Sequence, residues 1–108
     1  MTHFNLLTPS ETERLDLLAE ECAEVIQAVC KIKRHGYESR HPDGGPSNRQ
    51  HLEKELGQLR LAIDFMLERG DVTESEIDRA HHEKWLTLDR WLHHNSIHGV
   101  QEDSGHGK

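Results

Sequence analysis

The chain is poor in the residues that build a large hydrophobic core. Of its 108 residues, 33% are hydrophobic and 5% are aromatic. No apolar run approaches the roughly 18 to 20 residues that a membrane-spanning helix needs, so the composition argues against a membrane protein. A domain of this length buries only about 60–70% of the surface that its unfolded chain exposes. We therefore expect one domain, residues 1–95, whose small core is completed by a partner subunit in a homo-oligomer.

Cysteine is also scarce. Cys22 and Cys30 are the two cysteines of the chain, and their spacing in a predicted helix separates them by about 12 Å at roughly 1.5 Å rise per residue. This separation excludes a disulfide bond between them. Two unpaired cysteines, and no recognisable targeting segment in the first thirty residues, predict a reducing, cytoplasmic location.

Basic residues are outnumbered by acidic ones. The chain has 13 lysines and arginines against 20 aspartates and glutamates, a formal net charge of −7 with histidine neutral. Such a field repels a polyanion, so we expect no binding to a nucleic acid polymer. The excess is concentrated, because residues 11–24 hold six acids and one arginine.

Capping signals divide the chain into three predicted helices, at residues 9–35, 48–69 and 74–94. Each starts with a capping box, in which a Ser or Thr and a Glu or Gln three residues later cap each other's backbone: Thr8 with Glu11, Ser47 with Gln50, and Thr73 with Glu76. Gly36 and Gly70 are typical helix stops. No segment alternates with the period of a strand. The sequence thus predicts an all-α fold, a bundle of three long helices per chain, with a flexible polar tail at residues 96–108.

Each predicted helix carries an apolar stripe when it is projected at about 100° per residue. The stripes are Leu15, Leu18, Cys22, Val25, Ile26 and Val29 on the first helix; Leu52, Leu56, Leu59, Ala62, Ile63, Met66 and Leu67 on the second; and Ile77, Ala80, Trp85, Leu88, Trp91 and Leu92 on the third. A second strip on the first helix, Leu17 and Ala28, lies to one side. We expect the three stripes to form the core.

Carboxylates intrude on two of these stripes. Glu55 falls inside the second stripe, with Gln58 at its edge, while Glu21 and Glu24 flank the first and Glu20 lies just beyond them. A buried carboxylate without a partner is destabilising by several kcal/mol, and neighbouring carboxylates repel one another. A divalent cation relieves both effects, and oxygen ligands suit Mg²⁺ or Mn²⁺. Alternatives are a solvated acidic face on the first helix and, for Glu55, a pairing with Lys or Arg.

Basic residues supply candidate phosphate contacts. Lys84 lies in the middle of the third stripe, where it would neutralise a phosphate near the acidic residues; the alternative is a lysine whose stem is buried and whose head reaches water. Lys31 and Arg34 are close to the end of the first helix. Their alternative explanation is the favourable interaction of cations with a helix C-terminus.

Two motifs together resemble those of a known family. Glu20-Glu21-Cys22-Ala23-Glu24 has the form E-E-x-x-E, and about 30 residues later Glu55-Leu56-Gly57-Gln58 stands in the place of E-x-x-D. In this order and spacing they resemble the all-α nucleoside triphosphate pyrophosphohydrolase superfamily, in its MazG-like branch. The similarity covers roughly residues 10–67 and, loosely, the third helix.

The resemblance implies a helical Mg²⁺-dependent enzyme that cleaves an NTP or dNTP to the monophosphate and pyrophosphate. Glu21, Glu24 and Glu55 would bind the metal, which activates water and neutralises the developing charge. Glu20 would be a further ligand or would orient the attacking water, so Glu20 and Glu21 are the candidate catalytic residues. The resemblance also implies a dimer or a tetramer, with Lys31 and Arg34 as phosphate contacts.

Gln58 departs from the family pattern, which has an aspartate at this position. Its amide oxygen can still bind a metal, but it brings no charge and its side chain is one methylene longer. A glutamine at a subunit interface is an equally good explanation for this residue. The departure keeps an alternative function open, namely a helical oligomer of the same fold that binds a nucleotide with weakened turnover.

Overall fold

The chain is all-helical in the computed structural model, which describes residues 4–96. The elements are α1 at Pro9–His35, α2 at Asn48–Glu68, α3 at Glu74–Thr87, and a short 3-10 helix at Leu88–Trp91. No strand occurs among the described residues, although Arg40 and Ser47 form an isolated antiparallel bridge. The predicted all-α class is confirmed. Apart from Ser96, the predicted tail at 96–108 lies outside the described residues.

The first two helices begin at their predicted capping boxes. The Thr8 hydroxyl accepts a hydrogen bond from the backbone N–H of Glu11, and the Glu11 carboxylate accepts one from Thr8. Ser47 and Gln50 repeat the arrangement at the start of α2. Each box satisfies backbone N–H groups that a helix start leaves without partners. At the other end of α1, Gly36 has a φ of 89°, a backbone angle that residues with a Cβ rarely adopt.

Helix α3 differs from the prediction at both ends. Thr73 is its N-cap, but the Thr73 side chain makes no capping hydrogen bond, so the third predicted capping box is wrong. The helix ends at Thr87 instead of about residue 94, and the chain tightens into the 3-10 turn. Near this end the Thr87 hydroxyl donates to the carbonyl of Glu83, a local bond with which Ser and Thr disturb helices.

Residues 4–71 form a compact unit in which α1 and α2 pack against each other. The unit has few buried apolar side chains: Ala28, Ala62 and Met66. Two of the three are alanines, and small side chains at a helix contact allow a short distance between the axes. Among the described residues no helix is long and apolar enough to cross a membrane.

The face of α1 that is buried is not the main predicted stripe. Ala28, from the side strip, is buried, whereas Ile26 is 63% exposed and Leu15 and Val29 are 40% exposed. Cys22 is also exposed. The assignment of this stripe to the core is wrong within one chain, because α1 has apolar side chains on two faces and packing against one neighbour covers only one of them.

The predicted apolar face of α3 is not buried within the single chain. None of the residues of α3 is buried, and Trp85 and Trp91 are 43% and 71% exposed. Lys84 is exposed as well in the single chain. Charged and histidine side chains alternate closely with the apolar ones along α3, so its apolar stripe is narrow. Residues 72–96 belong to a second compact unit.

An ion pair joins the start of α1 to the residues that follow the end of α2. Arg14, near the start of α1, donates from Nε and Nη2 to the two carboxylate oxygens of Asp71, at 2.5 and 2.9 Å. The two side chains are only 11% and 13% exposed, and the Arg14 guanidinium also lies 5.8 Å from the centroid of the Phe65 ring. The hydrogen bond from Arg14 lowers the pKa of Asp71 and raises that of Arg14.

We predict that Asp71→Asn lowers the free energy of unfolding at pH 7, since it leaves Arg14 without its anion. A lowered pKa means that this stabilisation is present above the unfolded-state pKa, about 3.9, and is lost as the pH falls through the folded-state value. Urea unfolding at pH 7 and at acidic pH measures the difference between wild type and variant, which should shrink in acid. Asp64→Asn, at an exposed position of α2, is the control; a difference independent of pH would contradict the ion pair.

Candidate metal centre

Three carboxylates meet where α1 and α2 pack. Glu21 and Glu24 lie one turn apart on α1, and Glu55 approaches them from α2. One oxygen of each can be chosen so that all three lie within 4.8 Å of one another. We call these three residues the acidic trio. The structure thus brings together three of the five residues that the sequence suggested as metal ligands.

Two members of the acidic trio are nearly buried. Glu21 is 9% exposed and Glu55 is 6% exposed. In each of them, Oε1 is buried and has no hydrogen-bond partner among the described residues. A buried anionic oxygen without a partner is strongly unfavourable. The trio therefore requires a counter-charge, either a cation or a proton.

Glu24, the third member of the acidic trio, shows the effect of the neighbouring carboxylates on its pKa. The pKa of Glu24 is raised first by the neighbouring Glu55 carboxylate, then by burial and by the negative charge of Glu21. Without a cation, a proton on this group relieves the crowding of negative charge. Metal binding requires deprotonated ligands, so a cation and this proton compete for the same oxygens.

His51 supports the trio from α2 and was not identified from the sequence. Its Nε2 lies 3.1 Å from Oε2 of Glu55, one turn later on the same helix. The contact fixes one oxygen of Glu55 and leaves the other, Oε1, as the one without a protein partner. The spacing i, i+4 between His51 and Glu55 is the signal that would have identified the pair.

The donor chemistry of the trio fits a hard divalent cation. All three groups are carboxylates, and in Glu21 and Glu55 the buried Oε1 has no partner among the described residues. The nearby imidazole of His51 already contacts Glu55. Mg²⁺ and Mn²⁺ prefer oxygen ligands of this kind, whereas structural zinc sites are built from Cys and His.

The remaining predicted site residues lie outside the trio. Glu20 and Gln58 are exposed, on α1 and α2 respectively. Lys84 is exposed on α3, in the second compact unit. Lys31 and Arg34 are exposed in the last two turns of α1, where they line a cavity formed with the α1–α2 loop.

We predict that Mg²⁺ or Mn²⁺ raises the melting temperature of the protein, since a ligand that binds the native state stabilises it. Affinity for the metal should fall as the pH is lowered towards the raised pKa of Glu24, because protons compete with the metal.

Glu55→Gln should weaken metal binding by at least about tenfold. Calorimetric titration at several pH values tests this, with Glu53→Gln, an exposed position of α2, as the control; equal affinities in the two variants would exclude the trio as the metal site.

No family model, no curated protein and no solved structure matches the chain. Any functional conclusion therefore depends on the residues themselves: two short motifs in the sequence and the packing that places Glu21, Glu24 and Glu55 side by side.

Proposed function

We propose that this protein is a Mg²⁺-dependent nucleoside triphosphate pyrophosphohydrolase, which cleaves an NTP or dNTP between the α and β phosphates. The observation that carries the proposal is the acidic trio, in which two nearly buried carboxylates each have an oxygen without a partner in the described part of the chain. The motifs E-E-x-x-E and E-L-G-Q, which resemble those of the MazG-like pyrophosphohydrolases, lie on the two helices that form this trio.

The chain's own residues have distinct parts in the proposed reaction. Glu21, Glu24 and Glu55 hold the cation, which when bound supplies positive charge for the phosphates and acidifies a water molecule. Glu20, exposed one residue before Glu21, orients the attacking water. His51 holds Glu55 in place through its 3.1 Å contact. Water adds to one phosphorus, the anhydride bond breaks, and the products are a monophosphate, pyrophosphate and a proton.

We also propose that the protein acts as a homo-oligomer, a dimer or a tetramer, in the cytoplasm. The exposed apolar face of α1, which includes Leu15, Ile26 and Val29, favours a second chain as its cover, because exposed apolar patches mark association surfaces. Two free cysteines fit a reducing compartment.

Gln58 favours a second candidate function, a nucleotide-binding oligomer with weak turnover. It stands where the MazG-like motif has an aspartate, and an amide in place of a carboxylate removes one negative charge from the surroundings of a cation. Calorimetry with a non-hydrolysable nucleotide, compared with turnover on the same preparation, separates binding from catalysis.

We predict pyrophosphate release from at least one member of a panel of NTPs and dNTPs in the presence of Mg²⁺. Chelation by EDTA should abolish it, and Glu21→Ala should reduce kcat/KM by at least about 100-fold, since several kcal/mol of transition-state charge stabilisation depend on the cation. Glu13→Ala, at an exposed position of α1, is the control. If Mg²⁺, EDTA and Glu21→Ala give the same rate, the enzymatic proposal fails.

We predict that Gln58→Asp raises metal affinity or turnover severalfold if position 58 contributes to the metal centre, because the substitution adds a charged oxygen ligand. Gln58→Asn is the matched control, since it shortens the side chain without adding charge. Mg²⁺ titration and initial rates of pyrophosphate release provide the measurements. Identical behaviour of the Asp and Asn variants would place Gln58 outside the metal centre.

A further inference from the structure

A cavity of about 590 Å³ lies at the loop end of the α1–α2 unit. Its walls are the last turns of α1, the loop at residues 36–47 and the first turn of α2. Pockets that bind small organic molecules have volumes of roughly 300–1,000 Å³, so the cavity is large enough for one. Lys31, Arg34 and Arg40 make its lining cationic. The first two are the candidate phosphate contacts named above, and they leave the part of the cavity next to the loop without a ligand.

The loop wall of the cavity has a mixed character. Pro42 and Pro46 contribute apolar rings to it. The Arg40 guanidinium already donates from Nη1 to a loop carbonyl, at 2.8 Å. Asp43 brings a negative charge close to the wall, since its Oδ2 lies 3.6 Å from Nδ1 of the lining residue His41. A flat group without charge suits such a wall better than a phosphate does, because apolar walls with a few polar groups are typical of pockets for organic rings.

The imidazole of His41 is held in one orientation. Its Nδ1 accepts a hydrogen bond from the backbone N–H of Asp43 at 3.1 Å, and its carbonyl accepts one from Gly44 at 2.8 Å. The other aromatic ring of the loop, Tyr37, is covered by the Arg49 guanidinium, which lies 4.3 Å from the ring centroid. His41 is therefore the aromatic side chain that the loop offers to the cavity, and histidine is one of the residues on which nucleobases stack.

Asn48 contributes a nearly buried polar side chain to the cavity wall. The residue is 8% exposed, its Nδ2 donates to the carbonyl of Gly36 at 3.0 Å, and its backbone N–H donates to that of Ser39 at 2.9 Å. Because a carbonyl only accepts, the contact with Gly36 fixes the orientation of the amide and leaves Oδ1 as an acceptor. Within residues 4–96 no donor is bonded to this oxygen. A ligand in the cavity thus meets a preorganised hydrogen-bond acceptor.

Asn48 lies in a row with the acidic trio along α2. Asn48, His51 and Glu55 are spaced by three and four residues, which places them on one face of the helix. The first two line the cavity, and Nε2 of His51 lies 3.1 Å from Oε2 of Glu55. Asn48 is about 10 Å from Glu55 along the helix axis, at roughly 1.5 Å rise per residue. A nucleotide has its phosphates at one end and its base at the other, so phosphates held at the trio direct the base towards Asn48.

We propose that the loop side of this cavity is the nucleobase pocket of the triphosphate site, in which Asn48 Oδ1 accepts a hydrogen bond from an N–H group of the base and His41 packs against the ring. The assignment rests on the proposed function. It favours the base because each common nucleobase is flat and has an N–H donor on its edge. A phosphate at neutral pH has mainly acceptor oxygens, which do not pair with Asn48 Oδ1.

The test is equilibrium binding of the four ribonucleosides without metal, followed by NMR titration, and of inorganic pyrophosphate with Mg²⁺. At least one nucleoside should bind the wild type. Asn48→Ala and His41→Ala should each raise its Kd by about fivefold or more, while the Kd for pyrophosphate, which has no N–H donor, stays within about twofold. His41→Ala is included because the His41 side chain is 70% exposed, so its removal does not disturb the packing of α1 and α2.

Two variants are matched controls. Gln50→Ala removes a capping hydrogen bond at the start of α2, close to Asn48, from a residue that does not line the cavity. His82→Ala removes an exposed histidine of α3. Both should bind the nucleoside as the wild type does. An equal loss of affinity in Gln50→Ala would contradict a direct contact from Asn48, since it would show that the helix start in general controls binding.

Three further results would overturn the assignment. No ribonucleoside binds the wild type, or the Asn48 and His41 variants bind nucleosides unchanged, or the loss falls equally on pyrophosphate, in which case this side of the cavity holds phosphates. Failure of the proposed function is seen separately, as absence of Mg²⁺ binding and of NTP cleavage in the wild type. The metal-free nucleoside titration still tests the pocket in that case, because Asn48 and His41 do not depend on a cation at the acidic trio.

Discussion

Burial of carboxylates in the contact between α1 and α2 is the constraint on which the rest of this structure depends. Glu21 and Glu55 occupy positions where two packed helices ordinarily place apolar side chains, and each has an oxygen without a partner in residues 4–96. Helix packing gains little from such residues, since their desolvation is unfavourable. Their position requires a counter-charge between the helices, a proton or a cation, and the stability of the unit depends on that counter-charge.

The small core has to be supplemented by other interactions. Capping boxes fix the starts of both helices, and the Arg14–Asp71 pair joins their open ends. At the loop end, Asn48 donates its side-chain amide to the carbonyl of Gly36, at 3.0 Å. These contacts define the helix pair without covering the apolar outer face of α1, and this is the physical basis for expecting a second chain.

The opposite charges of the trio and the cavity are separated by one helical turn of α2. His51 belongs to the wall of the cavity and Glu55 to the trio, so the change of sign occurs between these two residues. Under the proposed function, the carboxylates would hold a polyphosphate through a cation and the basic side chains of the cavity would contact it directly. Overall net charge predicts whether a protein binds a polymer such as DNA, but it is a poor predictor of the binding of small phosphate ligands.

The sequence by itself determined where α1 and α2 begin and which carboxylates interrupt their apolar faces, because capping and helical periodicity are local. It failed where the outcome depends on neighbours: α3 ends at Thr87, and within one chain Ala28 of the side strip is buried while Leu15, Ile26 and Val29 of the main stripe are exposed. Periodicity identifies the faces of a helix but does not select which one a partner covers. Only the tertiary structure decided that Glu24 meets Glu55 and that the loop forms a cationic cavity, since both depend on how the helices pack.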